Sequence, residues 1–465
     1  MKNLKTNDGP KSSLLKAVAL AFLVTVFLCV GLLWGTAVIP QSMIQKNCAK
    51  SAAYFQEQEL FPMIVDGQFH TRQDNYADCI LLNIIYNIGQ KDESLFASWV
   101  KASYYCLEDQ NVNEGFAASV ADNPEANVDY FRYWHGSMVL LRPLLMVFDI
   151  VQVRLILGLC AHLLMLFTAV ILWKKKRKSL AVCSLAAMFF INSWVTAFCV
   201  EYVTTFLVMG AACLWVAVTW KEDRDCLVRR RRFLCLMAVC GVSTCFLDFL
   251  TTETLTVTMP LFLELALGLG EKTEKRYGKA EFLFMVQSGL VWGLSYALMF
   301  LLKWILAAWV LGISAMKEAL EYAGERVSGA VYLGNTNLDP QADLLERLFG
   351  ALFRNEGMLF YFKDELNIII CAFLFLLLVL AGASVVYLFH TKKLHLRTMR
   401  IFLLLGCVPY LRFFALSNHA YQHYFFTYRA QMVTVGILCY LVWEYGLCNL
   451  SAAKRTLHKK SKRKK

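Results

Sequence analysis

The sequence predicts an all-α, polytopic membrane protein with about ten transmembrane helices and two outer-face loop segments, on three observations. First, 58% of the 465 residues are hydrophobic and only 18% are charged, against about 45–50% and about 25% in soluble domains. Second, the excess apolar residues fall in recurring blocks of about 20, the helical length that crosses a bilayer core of about 30 Å. Third, most of the 47 Lys and Arg sit between these blocks. They fill Lys2–Lys16, "KKKRK" (174–178), "KEDRDCLVRRRR" (221–232), "EKTEKRYGK" (271–279), "HTKKLHLRTMR" (390–400) and "KRTLHKKSKRKK" (454–465). These clusters recur after every second hydrophobic block, as the positive-inside rule requires of cytoplasmic loops. Topology therefore accounts for the net charge of +12, and no nucleic-acid partner is implied.

In order along the chain, the first span covers 14–39 and runs outward. It is too long for a signal h-region and has no small-residue cleavage site, so it reads as an uncleaved span. The first outer-face loop, 40–136, carries surface helices and is too small for an independent receptor domain. "SMVLLRPLLMVFDI" then runs along or into the membrane toward the second span, 150–172. Spans three (179–193) and four (199–220) form a hairpin closed outside by "INSWVTAFCVEY". Spans five (233–250) and six (253–270) turn at "LDFLTTET". Span seven runs from 281 to 302, or on through "KWILAAWVLG". A second outer-face loop, 311–366, holds the turn signal "NTNLDP". Spans eight (367–389), nine (401–417) and ten (430–448) follow, and then a basic cytoplasmic tail, 449–465, suited to anionic headgroups. The whole is a single integral-membrane domain of the cell membrane with both termini cytoplasmic. No internal repeat supports an inverted-repeat transporter.

Of the 16 cysteines most lie in apolar blocks, with no CxxC pair and no His/Cys set at zinc spacing. Cys48, Cys79 and Cys106 share the first outer loop, an odd number that leaves room for one disulfide but not a framework.

The residues with chemistry gather at the outer face. In "RQDNYADCILLN", Asp74 and Asp78 are four apart and share a helical face. They read either as N-cap and first-turn acids or as a carboxylate pair. One member of such a pair could act as general base or hold a divalent cation, Mg or Mn. "YFRYWHGSMVLLRPLL" adds Arg132, His135 and Arg142 to what is otherwise an aromatic belt. Arg142 sits inside an apolar run, where an unpaired arginine costs roughly 2.5 kcal/mol or more, and an anionic headgroup would suit it. Glu201, Asp248, Glu253, Lys303, Arg412 and Arg429 lie inside or at the outer ends of spans. Each is either a helix-end residue snorkelling to water or a site residue.

His419 and His423 in "SNHAYQHYFFTYRAQ" are also four apart, but Ala420 stands where HExxH has its glutamate. The chain has only eight histidines, four of them in a span or on the inner side, so a metal centre is not expected. Arg412, His419, His423 and Arg429 read instead as donors around an anion, with arginine suited to phosphate by its planar fork.

This organisation resembles the GT-C class of integral-membrane glycosyltransferases, in architecture over most of the chain. "DNYADCILLN", "RYWHG", "DFLTTETLTVTMPL" and "NHAYQHYFFTYR" are similar to stretches of uncharacterised bacterial membrane proteins of that class. GT-C enzymes usually carry adjacent or once-separated acids in the first loop, whereas three residues separate Asp74 from Asp78 here. The resemblance implies an inverting transfer of sugar from a polyprenyl-phosphate donor to a cell-envelope acceptor, such as a glycan, at the outer face. Asp74 or Asp78 would be the base, and Lys303, Arg412, His419, His423 and Arg429 would hold the leaving phosphate. Arg142, His135 and Asp248 complete the candidate binding set, with membrane lipids as further partners. The alternatives are a transporter or flippase for a lipid-linked or anionic solute, or a non-catalytic protein of envelope assembly.

Overall fold

The computed structural model describes residues 10–89, 93–221, 225–268, 279–328, 344–359 and 396–447. These residues are mostly helical and form no strand; among them the only bridges are isolated pairs, Met63 with Arg72 and Tyr104 with Val128. Five helices are long and apolar enough to cross a membrane: Ser13–Ala37, Ile150–Lys174, Val200–Thr219, Lys279–Leu311 and Tyr424–Glu444. Lys178–Phe190 and Leu255–Gly268 are apolar but shorter. The fold is therefore that of an α-helical protein with several membrane-crossing segments.

The first of these lies within α1 (Pro10–Ala37) and leads to α2 (Gln41–Gln56), α3 (Asn75–Asn87), α4 (Leu95–Lys101) and α5 (Val112–Asp122). A short α6 (Met138–Leu145) precedes α7 (Ile150–Lys174), α8 (Lys178–Phe190), α9 (Val200–Thr219), α10 (Cys226–Leu247), α11 (Leu255–Gly268) and α12 (Lys279–Leu311). Beyond these lie α13 (Ile313–Ser328), α14 (Leu344–Leu359), α15 (Leu396–Gly406), α16 (Val408–Ala415), α17 (Ser417–Gln422), α18 (Tyr424–Thr427) and α19 (Met432–Leu441). The expected eighth span, the "NTNLDP" turn and the basic tail lie outside the described residues.

The expected spans differ from these helices where local chemistry intervenes. Span five begins seven residues early, because Asp225 accepts the N–H of Leu227 and caps α10 ahead of its arginines. Span nine is two helices, since Cys407 precedes a proline that cannot donate to the preceding turn. Span three is 13 residues long, about 20 Å of helix. Span seven runs to Leu311, the longer of the two expected ends.

Packing sorts the helices into an inner and an outer set. Helix α10 packs on α1 and α12, α7 on α8 and α9, and α11 on α9. Phe27 on α1 and Trp309 on α12 point outward and are exposed, as lipid-facing side chains would be. Helix α9 is mostly buried.

The segment between α1 and α6 is more than surface helices. Asn111 and Glu114 form a capping box at α5, and Asn113 donates to the carbonyls of Phe55 and Gln58 at the end of α2. Ile80 to Ile85, Trp99 and Phe116 are buried in the same core as the spans. Helix α6 likewise buries Met138, Leu141 and Leu145 rather than lying on a surface. Cys48, Cys79 and Cys106 are free thiols.

One interaction fixes this layer to the spans. Helix α9 has no side chain of its own capping its start. Asp78, from α3, supplies the acceptor: Oδ2 takes the N–H of Val200 at 2.8 Å and Oδ1 that of Glu201 at 3.1 Å. Arg154 of α7 donates its Nε to Asp78 Oδ2 at 2.8 Å and a second nitrogen to Asn75 Oδ1 at 2.8 Å. Three helices thus meet on one carboxylate that is fully buried. A helix N-terminus favours negative charge, so Asp78 is a structural anion and not the accessible base expected from its spacing.

Asp78→Asn should leave Arg154 buried without its counter-charge and destabilise the fold by about 3–5 kcal/mol. A double variant, Asp78→Asn with Arg154→Met, should recover part of the loss in thermal unfolding of detergent-solubilised protein. No loss in the single variant would overturn the assignment.

Candidate functional site

A polar cavity lies at the end of the bundle where α9 starts and α10 ends. It has a volume of about 120 Å³, room for a small polar group rather than one water. Helix α10 has 22 residues and begins with its arginines at the far end, which sets the cavity about 30 Å from them. Its walls come from six parts of the chain: Asp74, Tyr76 and Ile80 of α3 and its cap, Tyr130, Tyr133 and His135 of the "YFRYWHG" turn, Glu201, Phe249, Arg326, and His419, His423 and Phe426.

Local chemistry explains how each part arrives. Asp74 is the N-cap of α3 and accepts the N–H of Ala77 at 2.9 Å. The "YFRYWHG" turn is tied to α12 by Trp134, whose indole donates to Met299 O, and by Trp304, whose indole donates to Arg132 O. His135 adopts φ 51°, and its Nε2 lies 2.8 Å from Tyr130 O. The next residue must be glycine: a Cβ at Gly136 would lie 2.3 Å from Phe246 O. That close approach brings the turn against the end of α10.

The chemistry of the cavity is acid on one part and donor on another. Asp74 and Glu201 both line the cavity, and the charge on one disfavours charge on the other, so a single proton held by the pair is the stable arrangement. Burial is the main cause that raises the Asp74 pKa to about 7, and the Asp78 charge adds to it; the Ala77 N–H and Arg72 oppose. Oε2 of Glu201 is buried with no partner among the described residues. A carboxyl titrating near neutral pH inside a cavity has the property required of a general base.

The histidines are neutral donors. Burial, with Arg326, Arg412 and Arg72 nearby, lowers the His423 pKa to about 3, and burial together with His423, Arg412 and Arg326 lowers that of His419 well below the ordinary value. Their rings stand 4.7 Å apart, as the spacing of four predicts. His135 is also held neutral, chiefly by burial. The cation of the cavity is Arg326, on α13, which faces Tyr133 and Glu201.

Of the residues the sequence singles out, Asp74, His135, Glu201, His419 and His423 line the cavity together, and the following do not. Asp78 is the anion beneath α9. Lys303 donates to Trp99 O at 3.3 Å and Val100 O at 2.7 Å, closing the end of α4 between two tryptophan rings. Arg142 donates to the carbonyls of Ile39, Ile85 and Ile88, serving the ends of α1 and α3. Arg429 donates to His70 O and Phe425 O. Arg412 is paired with Glu253, its Nε 2.8 Å from Oε1. Asp248 accepts from Thr205 at 2.7 Å and from Thr251, and shapes the α10–α11 turn. The corrected positions share one cause: the buried cations spend their donors on carbonyls or a carboxylate, and the buried carboxylates accept from main-chain N–H groups, threonine hydroxyls or arginine. Glu201 was readable as an acid in the first turn of an apolar span, whereas Arg326 is the cavity residue that the sequence does not single out.

Among the described residues no three His, Cys, Asp or Glu side chains converge as a metal site. The cavity offers two carboxylates beside a guanidinium, a donor set that does not fit a resident Mg or Mn ion, which prefers six oxygens.

No protein-family model matches this chain, and comparison with curated proteins and with solved structures returned no match.

The raised Asp74 pKa has a consequence for stability. Its proton is held more tightly in the folded state than at the ordinary 3.8, so the folded state is favoured below that value and loses stability as pH rises toward about 7. Asp74→Asn keeps a capping oxygen for Ala77 but cannot titrate. The melting temperature of the native protein minus that of the variant should therefore fall between about pH 4.5 and about pH 7.5. A constant difference would exclude the proposed proton-sharing.

Proposed function

We propose that this chain is a membrane glycosyltransferase of the GT-C kind, with about ten spans and both termini inside. Its cavity would open at the outer face of the cell membrane. The observation that carries the reading is the meeting of a titratable carboxyl pair, Asp74 and Glu201, with Arg326 and two neutral histidines in one cavity. The basic clusters support the orientation, because the arginines at the start of α10 are a bilayer thickness from the cavity.

In this reading the donor is a polyprenyl-phosphate sugar and the acceptor a hydroxyl of an envelope glycan. The ionised member of the carboxyl pair, Asp74, takes the proton of the acceptor hydroxyl as its oxygen attacks the anomeric carbon. The bond between that carbon and the phosphate oxygen breaks with inversion. The electron pair leaves on the phosphate, where Arg326 and the imidazole N–H groups meet the developing charge. Tyr133, Phe249 and Phe426 offer aromatic faces for the sugar. Membrane lipids surround the polyprenyl tail.

Asp74→Asn should lower transfer from a polyprenyl-phosphate sugar by about 10²- to 10⁴-fold, the usual contribution of a general base. Arg326→Gln should weaken use of the donor while leaving the fold intact. Full transfer by both Asp74→Asn and Glu201→Gln would sink the assignment. Solute flux driven by a gradient, with no sugar transferred, would favour the transporter.

A further inference from the structure

Behind His419, which lines the cavity, two further buried side chains form a chain with it. Glu253, in the Thr-rich α10–α11 turn, accepts from Arg412 Nε at 2.8 Å and from a terminal nitrogen at 3.3 Å. That same terminal nitrogen donates to Leu250 O at 2.7 Å and lies 3.4 Å from Nδ1 of His419. All three residues are at least nine-tenths buried.

A guanidinium has donors only and does not lose its proton. The nitrogen that faces it must therefore accept, so Nδ1 of His419 carries no proton and the imidazole proton sits on Nε2. An imidazolium there would put N–H against N–H. We infer that Glu253 and Arg412 are positioning residues that hold His419 in its Nε2–H form, as a donor to an oxyanion of the phosphoryl class bound in the cavity.

Three features agree with this. Nε2 makes no hydrogen bond to any described residue, and His419 lines the cavity. His423, stacked beside it, leaves its own ring nitrogens uncommitted among the described residues. Arg326 supplies a full positive charge to the same cavity, so the two imidazoles and one guanidinium face an incoming anion across from the carboxyls of Asp74 and Glu201. Arg412 is held off the ligand by Glu253 and acts through His419. The chemistry of the ligand follows from the phosphate reading above, on which the inference rests.

Glutamine places its amide nitrogen near the position of imidazole Nε2, and asparagine near Nδ1. In detergent-solubilised full-length protein titrated with decyl phosphate, His419→Gln should bind within about threefold of the native protein. His419→Asn should bind about tenfold or more weakly, the loss of one hydrogen bond to a charged group. Nitrogen-15 spectra of histidine-labelled protein should show His419 neutral with its proton on Nε2. In the charge-balanced double variant Glu253→Gln with Arg412→Met, that single tautomer should give way to a mixture. Equal binding by the two His419 variants, the reverse order, or a Nδ1–H or imidazolium spectrum would overturn the inference. Tight, His419-dependent binding of decyl phosphate in a protein that transfers no sugar would leave it standing and remove only the glycosyltransferase reading.

Discussion

The arrangement depends on a single buried carboxylate. A helix that begins inside a protein leaves N–H groups without partners, and α9 begins inside this one with no cap of its own. Asp78 resolves that need from another helix and is neutralised by a third. Because the two amides it accepts belong to Val200 and Glu201, the bond that closes the helix end also sets the backbone from which the Glu201 carboxyl projects. Asp74, four residues before Asp78, rides on the same short helix. The carboxyl pair in the cavity is thus a by-product of how the scaffold is locked. The negative charge of Asp78 also adds to the upward shift of Asp74. Structure and reactivity are coupled here through one ion.

Much of the fold was legible because hydrophobic blocks and basic clusters repeat, and that pattern follows from the bilayer's thickness. The helical character comes through clearly; five of the described helices are long and apolar enough to cross a membrane, against ten expected spans. The breaks do not: Cys407 divides a span because of where Pro409 falls, and Asp225 extends another by capping it. The compact segment between α1 and α6 was harder to read, since its core is made with the spans and not within itself.

The site was legible in part, and the reason is chemical. Asp74, His419 and His423 stand out by spacing. Lys303, Arg142 and Arg429 stand out equally, as cations in apolar surroundings, yet each is satisfied by main-chain carbonyls. Every residue carries a carbonyl, so the sequence gives no hint of which one a buried cation will find. Arg326 was hidden for the opposite reason: it sits in an amphipathic, charged helix where one more arginine is unremarked. Tyr130 and Tyr133 looked like an interfacial belt, and their turn becomes a wall only because Gly136 allows the approach to Phe246.

Few of the contacts that enclose the cavity are local. Arg429 reaches His70 across 359 positions, and His419 and His423 come from the same late part of the chain. At an elongation rate of about 5–20 residues per second, the interval between the emergence of those two ends is on the order of tens of seconds. In its last part, Asp74 and Glu201 are already made while His419, His423 and Phe426 of the facing wall are not. Biogenesis therefore includes a stage in which these acidic groups lack part of the wall that encloses them. Their enclosure is deferred until the final helices arrive, which ties completion of the site to completion of the chain.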